Sequence, residues 1–410
     1  MFREPLKIDA RIDYGILLYV FSLLAIGLAA LYVALSHDYP QVAWTMLLQQ
    51  GAWILLGLLV GFITMFFSQS FLWKMTPLLY TLGLGLMVLP LIYYSPDLVA
   101  STGAKNWVSI NGMTLFQPSE FMKIPYILML AQIIDWLHKR QLGEKRNLGF
   151  DLKIIGVLTL ATLPVLLLLG LQHDLGTAMV YLAIFSGMVL IANVTWKIIV
   201  PVSAFFTVLA GGFVALLSQE EGRAFLHQLG MPTYQINRIL AWLNPFDFAQ
   251  TTTFQQAQGQ IAIGVGGLTG QGYNVSNLQI PVRESDMIFT VIAEDFGLIG
   301  GLVLLLLYFL LIGRMVRITV HSRSPFYTYI STGYILMLLF HIFENIGAVT
   351  GILPLTGIPL PFISQGGSSI ISNLIGIGLI LSIAYQNHLR DEEEGRVRPK
   401  RRKVVLRQTL

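Results

Sequence analysis

The chain reads as an all-α polytopic membrane protein with about ten transmembrane helices and one large structured extracellular loop. Composition is the first reason: 55% of its 410 residues are hydrophobic and only 12% charged, against about 25% charged in a soluble domain. The second is hydropathy. Apolar runs of about 18 or more residues recur, each long enough to cross a hydrocarbon layer of about 30 Å. The third is the uneven distribution of basic residues among the segments that join these runs.

Taken in order, the spans fall at 14–35, 46–68, 75–94, 118–137, 154–171, 175–193, 198–218, 286–313, 326–349 and 367–386. The pair flanking Gln172-His173-Asp174 could form one bent helix. A single helix over 154–193 would be about 60 Å long, twice the hydrocarbon thickness. The first run has no small-residue cleavage site after it, so it reads as a retained helix rather than a signal peptide. With both termini cytoplasmic, 21 of the 26 basic residues fall in cytoplasmic segments, the asymmetry that orients membrane proteins.

The chain then divides into a cytoplasmic N-terminus (1–13), a transmembrane domain (14–387) and a basic cytoplasmic tail (388–410). The cluster from Arg396 to Lys403 in the tail suits anionic lipid headgroups. No folded domain accompanies it to bind nucleic acid. Two outer segments, 95–117 and 218–285, are too long for simple connectors. The second is rich in aromatic residues, and its stretch 234–244 has the spacing of an amphipathic interfacial helix.

Absences narrow the chemistry. There is no cysteine, so thiolate nucleophiles, disulfides and Cys-based metal sites are excluded. The seven histidines are scattered without zinc-site spacing. The glycine-dense run Gly259 to Gly272 lacks the preceding strand and the Gly-Lys-Ser/Thr ending of a phosphate loop, and predicts a flexible re-entrant turn.

Charged residues beside the apolar runs are the candidates for function, because they are costly in lipid unless paired, solvated or used. Asp286 closes the sequence Pro281-Val282-Arg283-Glu284-Ser285-Asp286 at the mouth of a long apolar run. It could cap that helix, or serve as a general base at the outer boundary, with Arg283 keeping it ionised or holding a phosphate. Glu294 lies about 12 Å further along a continuous helix, too far to form a glycosidase-type pair with Asp286. It and Asp295 are expected to pair with other helices. Glu120 and Lys123 share a helix face, either as a buried pair or with Lys123 steadying an acid or a diphosphate. Lys105 and Trp107 put a cation and an aromatic ring in the first outer segment, where a Trp commonly anchors the interface. Ser364, Gly366, Gly367 and Ser368 form a turn before the last span that could present backbone N–H groups to an anion.

Together these segments resemble the SEDS family of bacterial cell-wall proteins, which comprises RodA-type and FtsW-type members. The resemblance rests on Gly103-Ala-Lys-Asn-Trp107, Gln117-Pro-Ser-Glu120 with Lys123, Gln172-His-Asp174-Leu-Gly176-Thr177, Ala262 to Gly267, Arg283 to Asp286 with Glu294, Asn345-Ile-Gly347, and Pro359 to Ser369. It covers nearly all of the membrane part, and Thr356 to Ile363 bring it nearer the elongation (RodA) type. Two positions depart from the family pattern: Glu284 stands where a His is usual, and Gln365 where a Tyr is usual.

The resemblance implies ten helices with both termini inside, in the bacterial cytoplasmic membrane. It implies an inverting glycosyltransferase that polymerises lipid II into β-1,4 glycan for cell elongation and shape. The expected partners are a class B penicillin-binding protein and other membrane proteins of the elongation complex. The family's essential acid maps onto Asp286, its functional Trp onto Trp107, and its Glu/Lys pair onto Glu120 and Lys123. Lys123, Lys105 and Arg283 are the candidates for the diphosphate, together with a divalent cation (Mg or Mn). A lipid II transporter and a non-catalytic scaffold are the alternatives, although a transporter would place its charges nearer the membrane midplane.

Overall fold

A computed structural model describes residues 11–110, 112–141, 147–228, 254–275 and 280–397, with 231, 236, 240, 242, 243 and 278. Its elements are α1 (Tyr14–Asp38), α2 (Ala43–Thr64), α3 (Gln69–Ile92), α4 (Pro96–Thr102), β1 (Val108–Ile110), β2 (Met113–Phe116), α5 (Pro118–Arg140), α6 (Leu148–Leu171), α7 (Leu175–Ile191), α8 (Trp196–Leu217), α9 (Glu220–Gln228), α10 (Phe254–Gly266), α11 (Ile288–His321), α12 (Pro325–Val349) and α13 (Gly367–Val397). The ten expected spans correspond to α1–α3, α5–α8 and α11–α13. Eight of them are long and apolar enough to cross a membrane. The other two are α7, with 17 residues, and α5, which carries buried Glu120, Lys123 and Asp135.

Local sequence sets the helix starts. Asp13, Ser68, Asn147 and Asp174 cap α1, α3, α6 and α7 by accepting a backbone N–H with their side chains. Asp174 also ends the doubt about one bent helix: His173 has a φ of 57°, and the chain restarts as α7 from that cap.

The core is a bundle in which α13 packs along α2, α1 along α11, and α12 against α5 and α7. Close approach on the α2–α13 seam depends on small residues. A Cβ on Gly61 would lie 2.7 Å from the Leu374 carbonyl oxygen, and one on Gly378 would lie 2.2 Å from the Gly61 carbonyl. By contrast, among the described residues of α8 Leu217 alone is buried, in a small cluster with Leu226 and Ile236.

Outside the spans, the 95–117 segment folds as α4 followed by the antiparallel hairpin β1–β2. In the larger segment α9 and α10 are described. The amphipathic helix expected over 234–244 lies outside the described residues apart from 236, 240, 242 and 243. So does the tail beyond 397, with most of its basic cluster.

The glycine run is not a flexible turn. It ends α10 and crosses α11 backbone to backbone, with hydrogen bonds from Gln271 N–H to the Glu294 carbonyl (2.9 Å) and from Leu298 N–H to the Gly267 carbonyl (2.9 Å). At this crossing α11 is broken at Gly297 (φ 63°, ψ −157°), a conformation that favours glycine. The part beyond the break, 298–321, is long enough to span a bilayer by itself. The first part, with Glu294 and Asp295, is therefore a short separate helix.

Candidate functional site

Asp286 lies in the turn 281–287 before α11 and is 9% exposed. The helix N-cap is Met287, which makes no side-chain cap bond, so the capping reading of Asp286 is not what the fold uses. The turn is held from two sides. Asn345 Nδ2 donates to the carbonyls of Asp286 and Ile358, each at 2.8 Å. Ser364 Oγ donates to the Ser285 carbonyl (2.6 Å) while accepting the Leu360 N–H, and Gln365 N–H donates to the Glu284 carbonyl (2.9 Å). A Cβ on Gly357 would sit 3.8 Å from Asp286 Oδ2. Asn345 and the 357–365 segment, 59 and more residues along the chain, thus hold the turn that carries this carboxylate.

The neighbouring charges fall into closed pairs. Lys123 Nζ bonds Glu120 Oε1 (2.5 Å) and His341 Nε2 (2.8 Å), and all three residues are at most 5% exposed. His341 Nδ1 lies 2.7 Å from the Met337 carbonyl, so the ring donates there and accepts from Lys123. Arg283, fully buried, is paired with Glu294. This corrects two expectations. The partner of Glu294 is on the turn preceding its own helix, and Asp295 accepts the N–H of Asn274, again from a loop rather than from another helix (3.1 Å). Neither Lys123 nor Arg283 is open to a substrate phosphate. Of the three cations considered, Lys105 alone keeps solvent exposure, with Nζ 4.5 Å from the Tyr94 ring centroid.

The Lys105–Trp107 segment is fixed from below by the α6–α7 junction. Lys105 N–H donates to the Gln172 carbonyl (2.7 Å), and Asn106 Nδ2 donates to Asp174 Oδ2 (2.8 Å). The same carboxylate accepts from Gln117 and from the backbone and hydroxyl of Thr177. Trp107 lines a cleft of about 280 Å³ together with Ser285 and residues Gln365–Ser368. The proposed anion turn is partly occupied: Gly366 N–H donates to Gln50 Oε1 (3.1 Å), and Ser368 Oγ accepts the Gln117 N–H (3.0 Å).

Sequence reasoning passed over Glu344 and His341. With Asn345 they sit at i, i+3 and i+4 of α12 and share one face, and that spacing within an apolar run was the available signal. Glu344 is 2% exposed, accepts the Thr356 hydroxyl, and interacts electrostatically with Asp286. Glu284, the departure from the usual His, has its carboxyl pKa raised, chiefly by burial and further by the charge of Asp38. Among the described residues no three His, Asp or Glu side chains converge to hold a metal ion, so the expected divalent cation has no cage of such side chains.

The FTSW_RODA_SPOVE family ("Cell cycle protein") matches residues 14–389. A probable peptidoglycan glycosyltransferase FtsW of Geobacter metallireducens is 32% identical over 397 residues, covering 93% of this chain and 97% of that protein. The peptidoglycan glycosyltransferase MrdB of Escherichia coli K12 is 36% identical over 291 residues, 69% of this chain and 71% of that protein. Among solved structures, the rod shape determining protein RodA of Thermus thermophilus superposes with a TM-score of 0.61 at 26% identity, covering 92% of this chain and 97% of that one. A chain of a peptidoglycan synthase complex that coordinates polymerization and crosslinking gives 0.71 at 26% identity, covering 92% and 98%. Relatives of both the FtsW and the RodA type therefore match.

Proposed function

We infer, for a chain that belongs to the FTSW_RODA_SPOVE family and is a membrane-embedded peptidoglycan glycosyltransferase, that Asp286 is the general base of glycan polymerisation. The observation that carries this reading is the convergence of Asn345, Ser364, Gln365 and Gly357 on the Asp286 turn, beside a cleft open to a substrate. The carboxylate does not cap its helix, and the turn that carries it is pinned through the backbone carbonyls of Glu284, Ser285 and Asp286.

The donor is an α-linked diphosphate such as lipid II, and the product is β-linked, so a single displacement inverts the anomeric carbon. The acceptor hydroxyl oxygen forms the new bond to that carbon as its proton passes to Asp286. The bond to phosphate breaks, and its electron pair leaves with the diphosphate. No covalent enzyme intermediate is needed. Lys105, partly exposed, is the cation we assign to the developing negative charge. A divalent ion would enter with the diphosphate, as Mg²⁺ is held by one or two carboxylates together with substrate phosphates.

We place the Asp286 end of the bundle on the outer face of the cytoplasmic membrane, with both termini inside, on the strength of the basic-residue asymmetry. The partner we propose is a class B penicillin-binding protein, which crosslinks the strands. The role is elongation, following the RodA-type motif at Thr356–Ile363. The purified chain supplied with lipid II and Mg²⁺ should produce glycan strands, resolved on a gel, without any partner. Flipping of lipid II in vesicles with no polymer, partner present or not, would overturn the enzymatic reading.

A further inference from the structure

The cleft beside the Asp286 turn has a chemical character that the reaction alone does not require. Among the described residues lining it there is no ionisable side chain. Its walls are aromatic, from Trp53, Trp107 and Phe121, and neutral polar, from Gln49, Gln365 and Ser285. Gln50, also at the wall, is committed to the Ser364–Gly366 backbone. The side chains of Gln49, Trp53, Trp107 and Gln365 make no hydrogen bond to any described residue, so two amides and two indole N–H groups are left for a ligand or water.

This lining selects against a diphosphate, which needs cations, and against a lipid tail, which gains nothing from amides. It matches a neutral ring with apolar C–H faces and a polar edge: aromatic surfaces cover the faces, while amides fix the orientation. We propose that the cleft is a saccharide subsite that holds one N-acetylated amino-sugar ring, the acceptor ring bearing the attacking hydroxyl. Ser285 in its wall is the residue next to Asp286, so the cleft borders the turn that carries the base. Trp53 is held in register by Gly367, where a Cβ would come within 2.8 Å of the indole.

This rests on the glycosyltransferase reading, and the test separates the two. The probe is the soluble disaccharide of N-acetylglucosamine and N-acetylmuramic acid, added to the full-length protein in detergent and followed by saturation-transfer NMR. The wild type and Asp286→Asn should both bind it. Gln365→Ala and Trp53→Ala should each weaken binding about tenfold, the scale of one or two lost neutral contacts. In polymerisation, Gln365→Ala should raise the KM for lipid II by a similar factor while kcat changes much less. If Trp53→Ala does not fold, Gln365→Ala and Gln49→Ala carry the test. Unchanged disaccharide binding in the folded cleft variants would overturn the proposal, as would loss of binding in Asp286→Asn alone. Normal polymerisation by Asp286→Asn would instead overturn the base assignment and leave the binding result standing.

Discussion

At the scale of single residues, the site is organised by which charges are closed off and which are left open. Lys123 is enclosed by Glu120 and His341, so its role is to hold α5 to α12. Lys123→Met should destabilise by about 3–5 kcal/mol, the cost of stranding a buried carboxylate, and Glu120→Leu/Lys123→Met should recover much of it. Thermal unfolding in detergent checks this, and a double variant as unstable as the single one would contradict the structural role. Glu284 provides a pH test. Its folded pKa is raised by burial, so the native state binds more protons than the unfolded chain between the two values. Its contribution is most favourable below the unfolded pKa and is lost as pH rises through the folded one. Glu284→Gln should therefore raise the unfolding midpoint near neutral pH and have no effect at low pH. The Glu120–Lys123 pair was legible in the sequence because i, i+3 spacing implies contact. The Arg283–Glu294 pair was not, because it joins an irregular turn to a helix whose start could not be placed to the residue.

At the scale of elements, the glycine-rich run and the break in α11 are one device. A Cβ on Gly266 would lie 2.0 Å from the Ala293 carbonyl oxygen, and one on Gly270 would lie 2.1 Å from that of Asp295. Gly270 also has a φ of 83°. Gly266→Ala should cost about 1–3 kcal/mol through overpacking, and Gly270→Ala more, because left-handed backbone adds to the clash. Both should also lower polymerisation, since the same short helix carries Glu294, the partner of Arg283. Equal stability of Gly270→Ala and wild type would refute the crossing. Most span boundaries were readable from hydropathy to within about six residues, but α11 and α13 run on to His321 and Val397, past the expected ends at 313 and 386. The crossing was not, because glycine density signals backbone freedom or close approach without saying which backbone approaches. For the same reason α11 was expected as one continuous helix.

At the scale of the whole molecule, the bundle brings the 281–287 turn together with Asn345 and the 357–365 segment at one end, around Asp286. The absence of cysteine makes orientation directly measurable. A single cysteine at Ala100 should react with impermeant maleimide from outside intact cells, and one at Asp391 only after lysis. The reverse pattern would invert the topology. The ten-helix architecture and the acid itself were legible from composition and motif. The cleft was not, because its walls come from α2, the β1–β2 hairpin and the turn before α13, which only the folded bundle brings together. The most direct test of the central claim is the rate of glycan formation from purified lipid II by Asp286→Asn. Asp286→Asn should be folded, with an unfolding midpoint near that of the wild type, and should make no detectable strand. Strand synthesis by this variant at close to the wild-type rate would contradict it.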